Sequence, residues 1–426
     1  MLTSRRMLSL LLAAAAVIAL LSGCYAAPVN EATEQGGETS GAIVTDSKIP
    51  VTTYPVPEEN IRTFGNMAAS ASTGGFWQWD TFFRPYIQAY DPVTRTTYVP
   101  CYQSGCRHND PTCNACFGDL QSLVEYRENY YAMVYTDDET ASALVTRPLS
   151  GGPLQILASW KPENEDEACR CVLRYVSFGK AYVTANRETY ALTEDGQLTT
   201  AAQESSLVSV DLQTGEVSTI LENDDGYDLY SVWEDIAAFR MLEMAEDAPE
   251  FEDWLAQQPE GTSWDEYDRQ FLGIRFLVRN LKTGEETVLV DASENYVRTV
   301  DPHRSWGQYA VYQVDRGLYV YDLEKQETKR LFTYDQDWND YNYMILDGHV
   351  IAVCGTEDVC RVWAISIEDG AVTEQDILGR DRMVYTIEYE CNKYFVGLLV
   401  DSSGNADEYY ISKEDYYRSN YDAAFR

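Results

Sequence analysis

The sequence predicts an all-β fold, a seven-bladed β-propeller with a small helical insertion, and three observations carry that prediction. One phrase recurs: a strand-like run, an Asp, Asn or Ser, a Thr-Gly or similar turn, and a returning strand, as in "LVSVDLQTGEVSTIL", "FLVRNLKTGEETVLV" and "LYVYDLEKQETKRLF". Further copies run from "YIQAYDPVTRTTYVP" through "ALVTRPLSGGPLQIL" and "VWAISIEDGAVTEQDIL" to "EYYISKEDYYRSNY", seven in all. Between them lie apolar and aromatic runs such as "YYAMVYT" and "HVIAVCGT", which supply the inner strands. One such phrase per four strands is the spacing of a propeller blade. Six blades is the fallback if the first or last copy is incomplete. A pair of β-sandwiches is the rival, but a sandwich does not require the same hairpin seven times.

Ahead of the blades, residues 1–23 read as an export signal: a short basic start, then an apolar run from Leu8 to Leu21 that falls short of the ~20 residues a membrane helix needs. It ends in Leu21, Ser22, Gly23 and Cys24, which resembles the bacterial lipobox. That resemblance implies cleavage before Cys24 and a lipid (diacylglyceryl and palmitoyl-type chains) on its sulfur, holding the protein to the outer side of the cell membrane. Residues 24–72, rich in Gly, Pro, Thr and Glu, read as a flexible tether. Residues 73–426 are then the propeller.

With strands alternating in direction, the A-to-B and C-to-D turns of each blade fall on one face and the B-to-C and D-to-A loops on the other. The recurring Thr-Gly hairpin is C-to-D. The stretch 243–270 is then a B-to-C insertion: Asp247 precedes Phe251, Trp254 and Leu255, and Ser263 and Glu266 have capping-box spacing ahead of Trp264, Tyr267 and Phe271, predicting two short amphipathic helices.

The formal charge is -37, from 69 acidic and 32 basic side chains. No nucleic-acid partner is expected, because approach to phosphate costs repulsion. Expected partners are a protein, peptide or glycan at the cell surface, besides the membrane reached through the lipid. Asp224, Asp225, Asp335 and Asp337 stand in D-to-A loops and form the expected binding face. Asp335, Asp337 and Asn339 also have positions 1, 3 and 5 of a calcium loop, but Asp340 stands where glycine is needed, so at most a weak calcium site is expected.

The stretch "CYQSGCRHNDPTCNAC" carries Cys101, Cys106, His108, Cys113 and Cys116 in a D-to-A loop. Cys106, His108, Cys113 and Cys116 offer a three-sulfur, one-nitrogen set for structural zinc. Exported chains more commonly oxidise such cysteines, so Cys101, Cys106, Cys113 and Cys116 are disulfide candidates ahead of metal ligands, with Cys354 and Cys360 as a further pair flanking a short turn. Of ten cysteines, Cys24 takes the lipid and nine remain, an odd number that cannot all pair.

Of the three histidines, His303 and His349 sit in strand-turn contexts, and no G-x-S-x-G, H-E-x-x-H or P-loop motif is present. The favoured reading is a non-catalytic binding or scaffold propeller; the alternative is a carbohydrate-active hydrolase or lyase using a carboxylate pair. The lipobox, the cysteine-histidine loop and the blades together resemble surface lipoproteins of anaerobic Gram-positive gut bacteria, some of them grouped by likeness to the low-density-lipoprotein-receptor-related propeller. The Tyr-Trp-Thr-Asp blade signature of receptor propellers is absent here.

Overall fold

The computed structural model describes residues 53, 56–61, 67–69, 75–80, 84–101, 103–110, 112–136, 139–193, 197–222, 227–245, 247–258, 264–291, 305–314, 316–335, 340–355, 360–375, 382–401 and 406–425. The signal, Cys24 and most of the predicted tether lie outside them. Among the described residues, seven antiparallel sheets use consecutive strands in chain order, six with four strands and the last with three. Residues 67–98, 119–160, 167–221, 227–290, 305–333, 340–375 and 382–412 make blades 1 to 7. The first strand of each blade touches an inner strand of the next around the ring, and blade 1 meets blade 7. The molecule is the predicted seven-bladed propeller, with strand A of each blade lining the axis. Among the described residues no helix is long and apolar enough to cross a membrane.

The recurring phrase has a local cause. In blades 1, 3, 4 and 5 the side chain of Asp91, Asp211, Asn280 or Asp322 accepts hydrogen bonds from backbone N–H groups two or three residues on, at 2.8–3.0 Å. Four residues after each of these the backbone is left-handed, at Arg95, Gly215, Gly284 and Gln326, and blade 6 repeats this from Ser366 to Gly370. A type I turn closed by a left-handed residue is a common route through a tight hairpin. At Gly215 a side chain would also meet the Leu157 carbonyl oxygen at 2.6 Å, so blade 3's turn lies against blade 2.

Blades pack through apolar clusters shared between neighbours. Blades 2 and 3 meet over Val124, Met133, Leu144, Leu173, Val183 and Val208. The cluster between blades 1 and 2 takes Trp77, Ile87, Leu120 and Leu123 from the sheets and Cys113, Ala115, Cys116 and Phe117 from the connecting loop. At roughly 25 cal/mol per Å² of apolar area buried, each such cluster is a major stabilising term. Blade 7 closes on blade 1 by a stack of Tyr90 on Tyr410 at 4.4 Å and a Gln78 Nε2 bond to the Tyr410 hydroxyl at 3.2 Å.

The insertion contains α1 (Phe251–Leu255) and α2 (Trp264–Phe271), packed on each other through Phe251, Trp254, Trp264 and Tyr267. The first helix starts after Glu250 with no side-chain cap, not from Asp247, because the residue before Pro249 disfavours helical backbone. Ser263 lies outside the described residues.

Two expectations are corrected. The seventh phrase, "EYYISKEDYYRSNY", is no hairpin: strand C of blade 7 (Ala406–Ser412) runs into α3 (Lys413–Tyr417). Ser412 caps that helix by accepting the Asp415 N–H at 3.0 Å, and Phe425 returns to make a single bridge with Tyr410 in place of strand D. A Ser-x-x-Asp cap followed by Tyr-Tyr favours a helical turn over a β-turn. Nor is the whole stretch 24–72 a free tether. Asn60 is buried and donates Nδ2 to Ser231 Oγ at 3.0 Å and to the Gly307 carbonyl, while Ile61 bridges Val176. These bonds hold residues 58–61 on the A-to-B turns.

Candidate metal centre

The loop from Cys101 to Cys116 leaves strand D of blade 1 and enters strand A of blade 2. It folds by short-range bonds: Cys106 N–H to the Gln103 carbonyl at 3.3 Å, Cys113 N–H to the Asp110 carbonyl at 3.0 Å and Cys116 N–H to the Cys113 carbonyl at 3.1 Å. Asp110 accepts the Thr112 N–H at 2.9 Å, and Gln103 Nε2 donates to the Thr112 carbonyl at 2.6 Å, which ties the two arms together. Gly105 and His108 are left-handed, with φ of 73° and 56°. For His108 that is an uncommon conformation, held by its surroundings.

The fold brings together Cys101, Cys106, His108 and Cys113, whose ligand atoms all lie within 4.8 Å of one another. This corrects the expected set: Cys101 belongs to it and Cys116 does not. Cys116 pairs its backbone with Tyr86 of blade 1 and is buried in the core between the blades. His108 Nδ1 is 3.2 Å from Cys113 Sγ, and the Tyr86 ring lies against the imidazole with centroids 5.6 Å apart. Backbone amides point at the sulfurs. His108 N–H donates to Cys106 Sγ at 3.4 Å, while the backbone amides of Gln103 and Asn114 favour the Cys101 thiolate and that of Ala115 favours the Cys113 thiolate. Burial raises the Cys101 thiol, yet the bonds from Gln103, Cys113, Cys106 and Asn114 outweigh it and leave it below its ordinary value. Burial dominates at Cys113 and pushes it up to about 12. Beneath the loop the buried Arg147 guanidinium donates to the Cys113 and Cys116 carbonyls at 2.6 and 3.1 Å.

The second cysteine pair is not brought opposite. The register aligns Cys354 with Arg361 and Cys360 with Gly355, so the two stand one step out of register, on positions that address opposite faces of the sheet. Cys354 is a buried free thiol raised by burial. Asp335 is exposed and 3.7 Å from Arg361. Asp224, Asp225, Asp337 and His303 lie outside the described residues.

Sequence reasoning missed a second polar cluster, on the opposite face. Lys413 at the start of α3 is buried and donates Nζ to Asp347 Oδ1 at 2.9 Å and Glu390 Oε2 at 2.8 Å. Tyr417 donates to Asp347 Oδ2 at 2.9 Å and its hydroxyl is 3.1 Å from His349 Nδ1. Trp306 Nε1 donates to Glu390 Oε1 at 3.0 Å. Burial opposes the Lys413 charge, but Glu390 and Asp347 outweigh it and raise its pKa; burial lowers that of His349. The sequence signal was Lys413 directly after the strand that ends in the helix cap Ser412.

Beside this cluster the N-terminal segment crosses the same face. Val56 N–H donates to Asn392 Oδ1 at 3.2 Å, and Pro57 packs on Gly307. Glu59 accepts from the Phe178 N–H and from the Tyr126 hydroxyl at 3.0 Å, and Asn60 N–H donates to Ser177 Oγ at 3.3 Å. These partners belong to blades 7, 5, 3 and 2, and Ser231 to blade 4. A stretch this short that reaches the inner strands or A-to-B turns of five blades lies across the axis.

No family model matches the chain, and no curated protein is similar to it. Solved structures with a similar fold include peptidases and a lyase. The Porphyromonas gingivalis dipeptidyl peptidase 4 is 10% identical with a TM-score of 0.46, over 86% of this chain and 61% of that one. The β-propeller domain of the Trilobed protease from Pyrococcus furiosus is 9% identical with a TM-score of 0.40, over 84% and 95%. An oligogalacturonate lyase in complex with manganese is 13% identical with a TM-score of 0.34, over 84% of each chain. The chain spans 41% of the length of a matched prolyl endopeptidase. At these identities the likeness is one of fold alone.

Proposed function

We propose that this chain is a membrane-anchored, extracytoplasmic lipoprotein that acts as a non-catalytic binding or scaffold propeller, engaging a protein, peptide or glycan on the face built from its B-to-C and D-to-A loops. The observation that carries this reading is the placement of residues 56–61. They cover the axis on the A-to-B face, and the chain arrives there from Cys24. A lipid on Cys24 then turns that face toward the membrane and the loop face outward. The outward face carries the cysteine loop, Asp335 and the aromatic helical insertion, where Trp264 is exposed. Insertions on a rigid scaffold are where binding surfaces concentrate.

The competing reading, a carbohydrate-active propeller, requires two carboxylates free to act. Asp347 and Glu390, two buried acids that approach one another, are bound to Lys413, Tyr417 and Trp306, which favours a structural role for them. Two experiments separate the readings. Cys24→Ser should move the protein from the membrane fraction to the medium or leave uncleaved precursor; unchanged, detergent-dependent fractionation would remove the anchor. On glycan and peptide arrays, binding should weaken with salt and on neutralising Asp335 and Asp337 together, while Thr283→Ala in the C-to-D hairpin leaves it intact. Loss with the hairpin variant alone reverses the assignment of faces, and turnover of an arrayed glycan selects the enzyme.

A further inference from the structure

We propose that Cys101, Cys106, His108 and Cys113 bind one zinc ion in a closed, structural site that staples the loop between blades 1 and 2. Three features of the loop support the ion over disulfides. Four ligand atoms of two kinds converge within 4.8 Å, whereas a disulfide needs only two sulfurs and recruits no imidazole. Three of the four are sulfurs, so oxidation within the set would strand one of them. And the Cys106 sulfur receives a backbone N–H bond from His108, two residues further on, at 3.4 Å. Such donors stabilise thiolates bound to a metal and orient them.

The geometry is close to that of a bound ion. Zinc with Zn–S near 2.3 Å and Zn–N near 2.0–2.1 Å sets its ligand atoms roughly 3.5–3.8 Å apart in a tetrahedron, so a contraction of about an ångström completes the shell. Binding releases three thiol protons and leaves the group with one net negative charge. The buried Arg147 guanidinium lies beneath, on the Cys113 and Cys116 carbonyls, and supplies the opposite charge. Tyr86 walls the imidazole. Four protein ligands fill a tetrahedron, so no position is open for water and the role is structural. Cys116, committed to the bridge with Tyr86, is outside the site; that separates this set from the one the spacing alone suggests. The inference is independent of the binding role proposed above.

The test uses the full chain. Elemental analysis of protein purified without added metal should give one zinc per chain. Removing it with a chelator and adding cobalt(II) should give the visible bands of a tetrahedral ion together with thiolate charge-transfer absorption, reversed by zinc; this arm needs no variant and stands even if a variant fails to fold. Cys101→Ser should weaken zinc binding by more than the ~10–100-fold that loss of an outer partner costs. Cys116→Ser should keep the full content, and His108→Cys should restore what His108→Ala loses. The proposal is overturned if Cys116→Ser releases the metal while Cys101→Ser retains it, if zinc is substoichiometric and indifferent to every substitution (an adventitious ion only), or if non-reducing peptide mapping finds these cysteines joined in disulfides.

Discussion

At the seam between blades 1 and 2 the added chain gathers three thiols and an imidazole; at the seam between blades 6 and 7 it gathers an ammonium group, two carboxylates, a phenol and an imidazole. Both sit over apolar cores made by neighbouring sheets, and both use chain that the blades themselves do not require. The difference is where the compensation comes from. Around Lys413 each charge finds its opposite within the protein, at 2.8 and 2.9 Å. Around Cys101 three thiols and an imidazole all offer electron pairs with no cation among them, and the set is completed only by something brought in. One seam should therefore respond to removal of a metal, and the other to loss of a charged partner within the chain.

The largest expected effect breaks the self-sufficient seam. Lys413→Met leaves Asp347 and Glu390 buried without their cation and should cost about 3–5 kcal/mol, read as a lower urea midpoint at unchanged slope; a cost under ~1 kcal/mol would show that the triad is not what joins blades 6 and 7. Next in size, a chelator at neutral pH should make the 101–116 loop a site of proteolytic cleavage while Lys413→Met protein gains cleavage near 413–425 instead. Cleavage at both places under chelation would mean that the seams are coupled. The smallest effect sharpens the contrast through pH. His349 has its pKa lowered from 6.5 by burial, so below pH 6.5 the unfolded chain takes up a proton that the folded one resists. Stability should fall as pH drops through that range, by at most ~1.4 kcal/mol per unit for one group. His349→Asn should flatten the profile there; an unchanged slope would assign it to other groups.

What could be read from the sequence was what is local. The C-to-D hairpins are legible because Asp91, Asp211, Asn280 and Asp322 each accept backbone N–H bonds from their own turns. The helical insertion is legible from aromatic spacing. The exchange of Cys101 for Cys116 was not, because it hangs on the bridge from Cys116 to Tyr86, thirty residues away. The docking of Asn60 depends on partners 117, 171 and 247 residues distant, which no window of sequence contains. The last blade misled because the polar run from Ser412 to Asp415, set between two Tyr pairs, reads as a hairpin turn, while the capping bond that makes it a helix and the buried triad that rewards Lys413 are visible only in three dimensions.

The closure of the ring bears on how the molecule is made. Each sheet is completed by strands consecutive in the chain, so blades 1 to 6 can form one after another as the polypeptide emerges, with short loops to close. The joint between Tyr90 and Tyr410 spans 320 residues of sequence and has to wait for blade 7. Until Phe425 reaches Tyr410, strand C of blade 7 is an unprotected edge, able to pair with another chain. Phe425 and its bridge to Tyr410 thus turn an open, association-prone arc into a finished ring.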